Sequence, residues 1–442
     1  MPDYENHTIK GVLNVAFPLI ISCLSSGIMI MFDRIMLARF DINIMNAVVF
    51  MGLLLFLLDW SISSITITTE VFSGQYNGLN KNSMVPVASW QMLFFSCIAI
   101  VFYIPIGLYL GQYIIPKTYY ESSGNFFKIA ICFMAISPAI GSLNGFFVGI
   151  KKTKIILINS IIGNIINIIL SYNLIFGIDG FISPLGAAGA AIATTISLSI
   201  QFFVIFYFFI SKEYHNKYNT RNYHFNKVIF TKCLKLGIPS SAGFISEDIA
   251  NYVLQIIIIN KIPEYVSNNN IGVNLCIFIF FLLWGIQKAI GGLAANIIGE
   301  NKLELIPKLL KSSLQIHFIC SFIILFFFTF FSKNIAKLYT NDAIIIYYTK
   351  YTLPWVGLYY LVAGIGWIIS GILTSGGDTK FVMIITIFSG WLLKLVPTYV
   401  LLSIGVKHFA IGWMITTISS IVFTVVLYCR FKSGKWLRLK LT

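Results

Sequence analysis

The chain has 442 residues, 57% hydrophobic and 11% charged, with a net charge of +15 and a mean hydropathy of +0.85. Soluble domains carry about 25% charged residues, so composition excludes a soluble fold, and the apolar runs reach the roughly 20 residues that cross a bilayer. The positive charge does not indicate nucleic acid, because Lys and Arg sit in short loops between apolar runs with no interleaved aromatic surface to stack bases.

In chain order, polar breaks separate twelve spans at roughly 11–38, 44–72, 88–111, 124–149, 155–177, 185–211, 233–260, 271–298, 308–332, 346–373, 380–404 and 408–430. The first is too long for a secretory leader, lacks a small-residue cleavage site and is followed by a second span, so it is expected to stay as a membrane helix. Short breaks such as "YNGLNKNS", "GIKKTK", "GENKLE" and "TSGGDTK" join most spans. The longest break, 211–232, lies mid-chain and reads as a linker. It divides the chain into an N-terminal lobe (1–211, spans 1–6), a cytoplasmic linker (212–232) and a C-terminal lobe (233–442, spans 7–12).

The seven cysteines (Cys23, Cys97, Cys132, Cys233, Cys276, Cys320 and Cys429) form no CxxC pair and read as small core hydrophobes. The five histidines show no metal spacing; His317 alone lies in a span, as a core histidine with satisfied nitrogens. Orientation follows from the basic residues. Twenty collect on the side that carries both termini, and eight on the other: Arg39, Lys117, Lys128, Lys261, Lys333, Lys337, Lys350 and Lys407. The positive-inside rule then puts both termini in the cytoplasm, as an even span count requires.

The halves repeat one another. Pro18 and Pro239 are 221 residues apart, as are Gly78 and Gly299, and Lys81 and Lys302. "GFFVGIKKTK" (145–154) maps on "GILTSGGDTK" (371–380) at 226, and "TTIS" at 194–197 returns at 416–419. Matches in one order at nearly one offset indicate duplication. Two six-span copies that enter from the same side are parallel repeats, an arrangement that places a substrate site between halves and suits alternating access.

Six stretches carry a family pattern in order: "FDRIMLARFD" ending span 1, "SGQYNGLNK" leaving span 2, "NIINIILSYNLIFG" in span 5, "GAAGAAIATTIS" in span 6, "LGIPSSAGFISE" in span 7 and "GILTSGGDTK" after span 10. With them the chain resembles the multidrug and toxic compound extrusion (MATE) family of secondary antiporters, within the wider multidrug/oligosaccharidyl-lipid/polysaccharide flippase superfamily, over essentially its whole length. The resemblance implies an all-α polytopic membrane protein, with twelve transmembrane helices in two six-helix lobes forming a V around a central cavity. It also implies export of amphipathic, cationic organic compounds in exchange for H⁺ or Na⁺. The alternative is a flippase for lipid-linked or polysaccharide intermediates, against which twelve spans argue, since such flippases commonly have extra spans. A membrane-embedded enzyme would need a Ser/His, paired Asp or HExxH constellation, and none stands out. The expected protein is a monomer of the cell inner (cytoplasmic) membrane that needs no cofactor, with a small-molecule substrate and the lipid bilayer as its partners.

A charge at bilayer depth costs about 2.5–3.5 kcal/mol on insertion scales, so each needs a reason. In span 1, Arg34 does not simply neutralise Asp33, because neighbours on a helix point about 100° apart. Asp33 is either an interfacial carboxylate or a lobe-interior proton or sodium site; the resemblance favours the second. On span 5, Asn164, Asn167 and Ser171 share a face at 3- and 4-residue spacing, fit either for helix–helix hydrogen bonds or for holding a cation beside a carboxylate. The resemblance makes Asn167 a cation-site asparagine and Thr194 a further hydroxyl of that site, with Na⁺ as a possible metal at Asp33 and Asn167. Ser171 falls where relatives carry Asp or Asn, which removes a charge. Position 254, the counterpart of Asp33, is Leu.

Asp59 and Glu70 share a face of span 2. Glu70 reads as water-exposed near the span's end, and Asp59 as either lining the cavity or pairing with Arg34 or Arg39. The C-terminal lobe adds Glu247, Asp248, Lys288 and Lys394. In the resemblance Glu247 matches an acidic residue used for coupling or substrate, but its span-10 partner is here Ala363. Ion pairs of Lys288 and Lys394 with Glu247 or Asp248 are expected instead, structural or functional in equal measure.

Overall fold

A computed structural model describes residues 5–438, except 179 and 182. Eleven of its helices are long and apolar enough to cross a membrane: Ile9–Phe40, Ile42–Gly78, Asn82–Ile114, Thr153–Phe176, Gly186–Ile210, Lys227–Lys261, Pro263–Gly299, Leu303–Phe330, Ala343–Ser375, Thr379–Ser403 and Ile411–Lys432. The pair Lys117–Cys132 and Ile136–Gly149, bent by 40°, supplies the remaining one. In chain order these are spans 1 to 12, each at a place the hydropathy pattern marks. The all-helical membrane architecture is therefore as expected.

Several helices run past the expected ends. Span 8 takes in Asn268 and Asn269, which are buried and donate from their amide nitrogens: Asn268 to the Thr352 hydroxyl at 2.9 Å and Asn269 to Gln255 at 2.9 Å. Span 2 is interrupted at Ile67. There the hydroxyls of Thr66, Thr68 and Thr69 each donate to a carbonyl three residues back, at 2.8 Å. Such back-bonding competes with the helical ladder and bends it. On span 4, Gly141, Gly145 and Gly149 face this break at four-residue spacing. A Cβ at Gly145 would run into the Thr69 side chain and sit 2.8 Å from the Glu70 nitrogen, so only glycine allows this approach.

Prolines shape two further spans. A π-helical turn, Ile106–Leu110, follows Pro105 in span 3, and another, Ser389–Leu395, precedes Pro397 in span 11. Pro397 has no N–H to return to the carbonyl four residues earlier, and a wider turn absorbs the mismatch.

The duplication extends to hydrogen bonds. After span 2, Asn80 is left-handed (φ 56°), and the amides of Asn80 and Lys81 bond to Asn77 and Tyr76. After span 8, Asn301 (φ 55°) and Lys302 repeat this on Ile298 and Ile297, each 221 residues on. Lys151 (φ 61°) after span 4 and Gly377 (φ 93°) after span 10 close the same kind of turn, 226 apart. All four are helix C-caps in which a left-handed residue returns orphaned carbonyls to the ladder.

The chain packs as two compact units. One is Phe17–Ser241; the other joins the residues up to Ala16 with those from Ala242 on. Both cuts fall within helices, beside Pro18 and Pro239. In the first unit, one core gathers Met51, Leu55, Tyr103, Phe127 and Ile131, and a second gathers Met36, Leu37, Val48, Ile175 and Ala190. In the other unit, Leu254, Ile258, Leu395 and Leu402 form one core, and Leu283, Phe328, Leu353, Val356 and Trp413 another.

The 211–232 segment is folded rather than loose. Tyr214 and Tyr218 pack edge-on against Phe146, and the Trp90 indole donates to the Thr220 carbonyl at 2.8 Å. Gln91 donates to the His224 carbonyl and accepts from the Asn226 amide, both at 2.9 Å.

Candidate functional site

Span 5 has two unlike faces. Ile158, Ile161, Ile162, Ile165 and Ile169 are exposed at helical spacing and form its lipid side. Asn164, Asn167 and Ser171 lie on the buried side, the last two with no exposed surface. Gly163 lets Gln201 of span 6 lie directly on span 5. Asn164 donates to the Ser25 hydroxyl at 2.8 Å, tying span 5 to span 1 two turns before Asp33. Asn167 donates to the Thr194 hydroxyl at 3.2 Å, and Thr194 is anchored to the Ala190 carbonyl at 3.0 Å.

Among the described residues, Asp33 Oδ1 on span 1 and Asn167 Oδ1 and Ser171 Oγ on span 5 are buried with no hydrogen-bond partner, as is Asn159 Oδ1 two turns before Asn167. The Ser171 hydroxyl lies near enough to interact with the Asp33 carboxylate as a hydrogen-bond donor, though outside strict hydrogen-bond geometry. One Asn167 N–H is taken by Thr194, and its oxygen is the group without a partner. Buried polar atoms are normally satisfied, so unpartnered oxygens at Asp33, at Ser171 beside it and at Asn167 one turn from Ser171 suit a ligand.

In the C-terminal unit, the π-turn of span 11 directs Lys394 onto span 7. Lys394 is 4% exposed. Its Nζ donates to Asn251 Oδ1 at 2.6 Å and lies 3.9 Å from Glu247 Oε1. Asp248 also acts electrostatically on the ammonium. Glu247 and Asn251 are one turn apart and share a face. Trp391, on the same π-turn, donates to the Ser246 hydroxyl at 2.9 Å.

A family model described as MatE matches residues 18–173 and again 239–400. The chain belongs to the MatE family. The two matches begin at Pro18 and Pro239, so the family unit itself repeats at the 221-residue interval seen in the sequence. Among relatives, the chain is 24% identical over 405 residues to a "Probable multidrug resistance protein NorM" of Bacillus cereus, covering 89% of this chain and 88% of that protein. Among solved structures it is similar to a MATE protein in a straight conformation, with a TM-score of 0.88 at 17% identity over 97% of both chains. It is similar also to an outward-facing multidrug resistance MATE family transporter of the MOP superfamily, with a TM-score of 0.86 at 17% identity over 98% of this chain and 97% of that one. This is the MATE transporter fold.

In this MatE protein the expected N-terminal site residues converge: Asp33, Asn167, Ser171 and Thr194 lie together, while Asn164 is engaged one turn away with Ser25. In the C-terminal unit Lys394 meets Glu247 as expected. Lys288 does not. Its ammonium lies over the ring of Trp284, 5.4 Å from the centroid, and no ion pair of Lys288 occurs among the described residues. Trp284 is one turn earlier on the same helix and offers a cation–π contact without a second span.

Two expectations for span 2 also change. Glu70 is buried, at 7% exposure, because the glycine face of span 4 covers it. Asp59 pairs with neither arginine; it accepts from the hydroxyls of Ser63 at 2.9 Å and Ser137 at 3.0 Å. Ser137 is 78 residues away on span 4, so no local spacing announces this clamp. His317 is a satisfied core residue, bonded through Nε2 to the Leu361 carbonyl at 3.0 Å and 3.2 Å from the Ser321 hydroxyl. Three partners lacked any strong sequence signal: Ser25, Ser137 and Asn251. Only Asn251, one turn after Glu247, was open to detection by spacing.

Proposed function

We propose that this MatE protein is a secondary antiporter that exports amphipathic, cationic organic compounds in exchange for H⁺ or Na⁺, with the coupling ion at Asp33, Asn167 and Ser171. The observation that carries the reading is the set of three buried, vacant oxygens on spans 1 and 5. Carboxylate, amide and hydroxyl oxygens are hard donors that suit hard cations. One carboxylate among them supplies one negative charge, which a monovalent ion or a single proton cancels. Ser171 in place of a second acid keeps that count at one.

The coupling follows from the cost of the bare carboxylate. Ionised and vacant, Asp33 opposes a dry environment; occupied or protonated, it tolerates one. Binding therefore favours the arrangement in which spans 1, 5 and 6 close on the site, and release favours the other. Pro18, which interrupts the ladder of span 1, is a suitable flex point. The protein acts in the cytoplasmic membrane as a monomer with both termini inside, a reading supported by the distribution of basic residues.

Reconstitution tests this. Proteoliposomes loaded with a fluorescent organic cation should exchange it against an imposed Na⁺ or pH gradient, and swapping the two gradients names the ion. A passive ion current without exchange would sink the proposal.

A further inference from the structure

We infer that Lys394 is a tethered cation: its ammonium fills a monovalent-cation site formed by Glu247 and Asn251, beside Asp248, and thereby keeps free Na⁺ out of the C-terminal unit. The site lies wholly within that unit and is separate from Asp33. The geometry is that of a bound cation. The ammonium is nearly fully buried, takes the Asn251 carbonyl oxygen at 2.6 Å, and lies 3.9 Å from Glu247.

The distances are asymmetric. The close contact is to a neutral oxygen, and the carboxylate lies at the outer limit of an ion pair. Glu247 also remains partly accessible, with its side chain 33% exposed. The ammonium balances the charge of Glu247, and a proton on the neighbouring Asp248 leaves the cluster neutral without Na⁺. Take the ammonium away and the Glu247 carboxylate and the Asn251 amide oxygen remain, with Asp248 adjacent in sequence, an oxygen set fit for a hard monovalent ion. Lys288, the other basic residue of the region, is held over Trp284 and leaves the place to Lys394.

Lys394 reaches this position through the π-turn Ser389–Leu395. That turn is fixed from several sides: Pro397 follows it, Ser389 bonds Ser419 of span 12 at 2.8 Å, and Thr398 donates to the Lys394 carbonyl at 2.7 Å. Such insertions are frequent where a helix must aim one side chain. The cation is thus delivered by the backbone and does not exchange with solvent. This proposal does not rest on the coupling site at Asp33.

The test is Na⁺ binding by the purified full-length protein, read as the thermal unfolding midpoint in NaCl against choline chloride. An Asp33→Asn background silences the N-terminal site. That background alone should show no Na⁺-specific shift. Adding Lys394→Met should create one, a rise on the order of 2 °C at tenfold excess over Kd. Adding Glu247→Gln to that double variant should abolish it. Lys394→Gln, which keeps a donor for Asn251, is read in parallel if the methionine variant is poorly folded, and should behave as Lys394→Met does. The inference is overturned if the folded Lys394 variants show no Na⁺ dependence. It is equally overturned if Na⁺ already stabilises the Asp33→Asn protein in a manner that Glu247→Gln removes. Because transport is not the readout, neither outcome bears on the antiport proposal.

Discussion

Replacing Asn167 by alanine separates a binding role from a packing role. The side chain is fully buried, makes one hydrogen bond, to Thr194 at 3.2 Å, and leaves Oδ1 vacant. Loss of that bond costs about 0.6 kcal/mol by the membrane-protein average, and the small cavity adds a comparable amount. Thr194 keeps its bond to Ala190 and is not orphaned. Against these costs, removing a buried unsatisfied acceptor returns about 1 kcal/mol or more. The terms nearly cancel, so stability should stay within about 1 kcal/mol of the parent. Ion coupling should not: losing one of three oxygens is expected to weaken the coupling ion about tenfold, or about 1.4 kcal/mol. The assay pairs thermal unfolding in detergent with the ion-concentration dependence of organic-cation exchange in proteoliposomes. A right-shifted ion dependence at unchanged stability supports the site. If stability and transport fall together with the ion dependence unmoved, Asn167 is a packing residue and the reasoning fails.

Two structural predictions are independent of the transported ion. Gly145→Leu should destabilise by about 3 kcal/mol, because it drives a side chain into Thr69 and the span 2 backbone; a thermal midpoint within 1 °C of the parent would contradict the packing. Trp90→Ala should free the 211–232 segment from its anchor at Thr220 and cost about 3 kcal/mol. Limited proteolysis should then cut within that segment much faster than in the parent, and an unchanged rate would refute the anchoring.

The span pattern could be read from hydropathy because lipid demands continuous apolar helix, and the duplication from recurring Pro, Gly and Lys. The breaks within spans were less legible. In span 2 the break at Ile67 lies where threonine hydroxyls in "ITITTE" meet the glycines of span 4, a tertiary fit that no window of sequence contains. The π-turns beside Pro105 and Pro397 are local in origin, but their effect on Lys394 depends on where span 7 lies. Among site residues, Asn167 and Ser171 were readable because one helix face fixes their relation. Lys288 takes the ring of Trp284, one turn away on its own helix, whereas Glu247 and Asp248 lie on another span. Asp59 is satisfied by two hydroxyls, Ser63 one turn on along its own helix and Ser137 on span 4, without a cation.

Gradient-driven exchange of an organic cation by reconstituted Asp33→Asn and Glu247→Gln proteins, side by side, tests the central claim most directly. With coupling at Asp33, the first variant loses exchange under both Na⁺ and pH gradients while the second retains it. Loss in the Glu247 variant with exchange intact in the Asp33 variant would contradict the account.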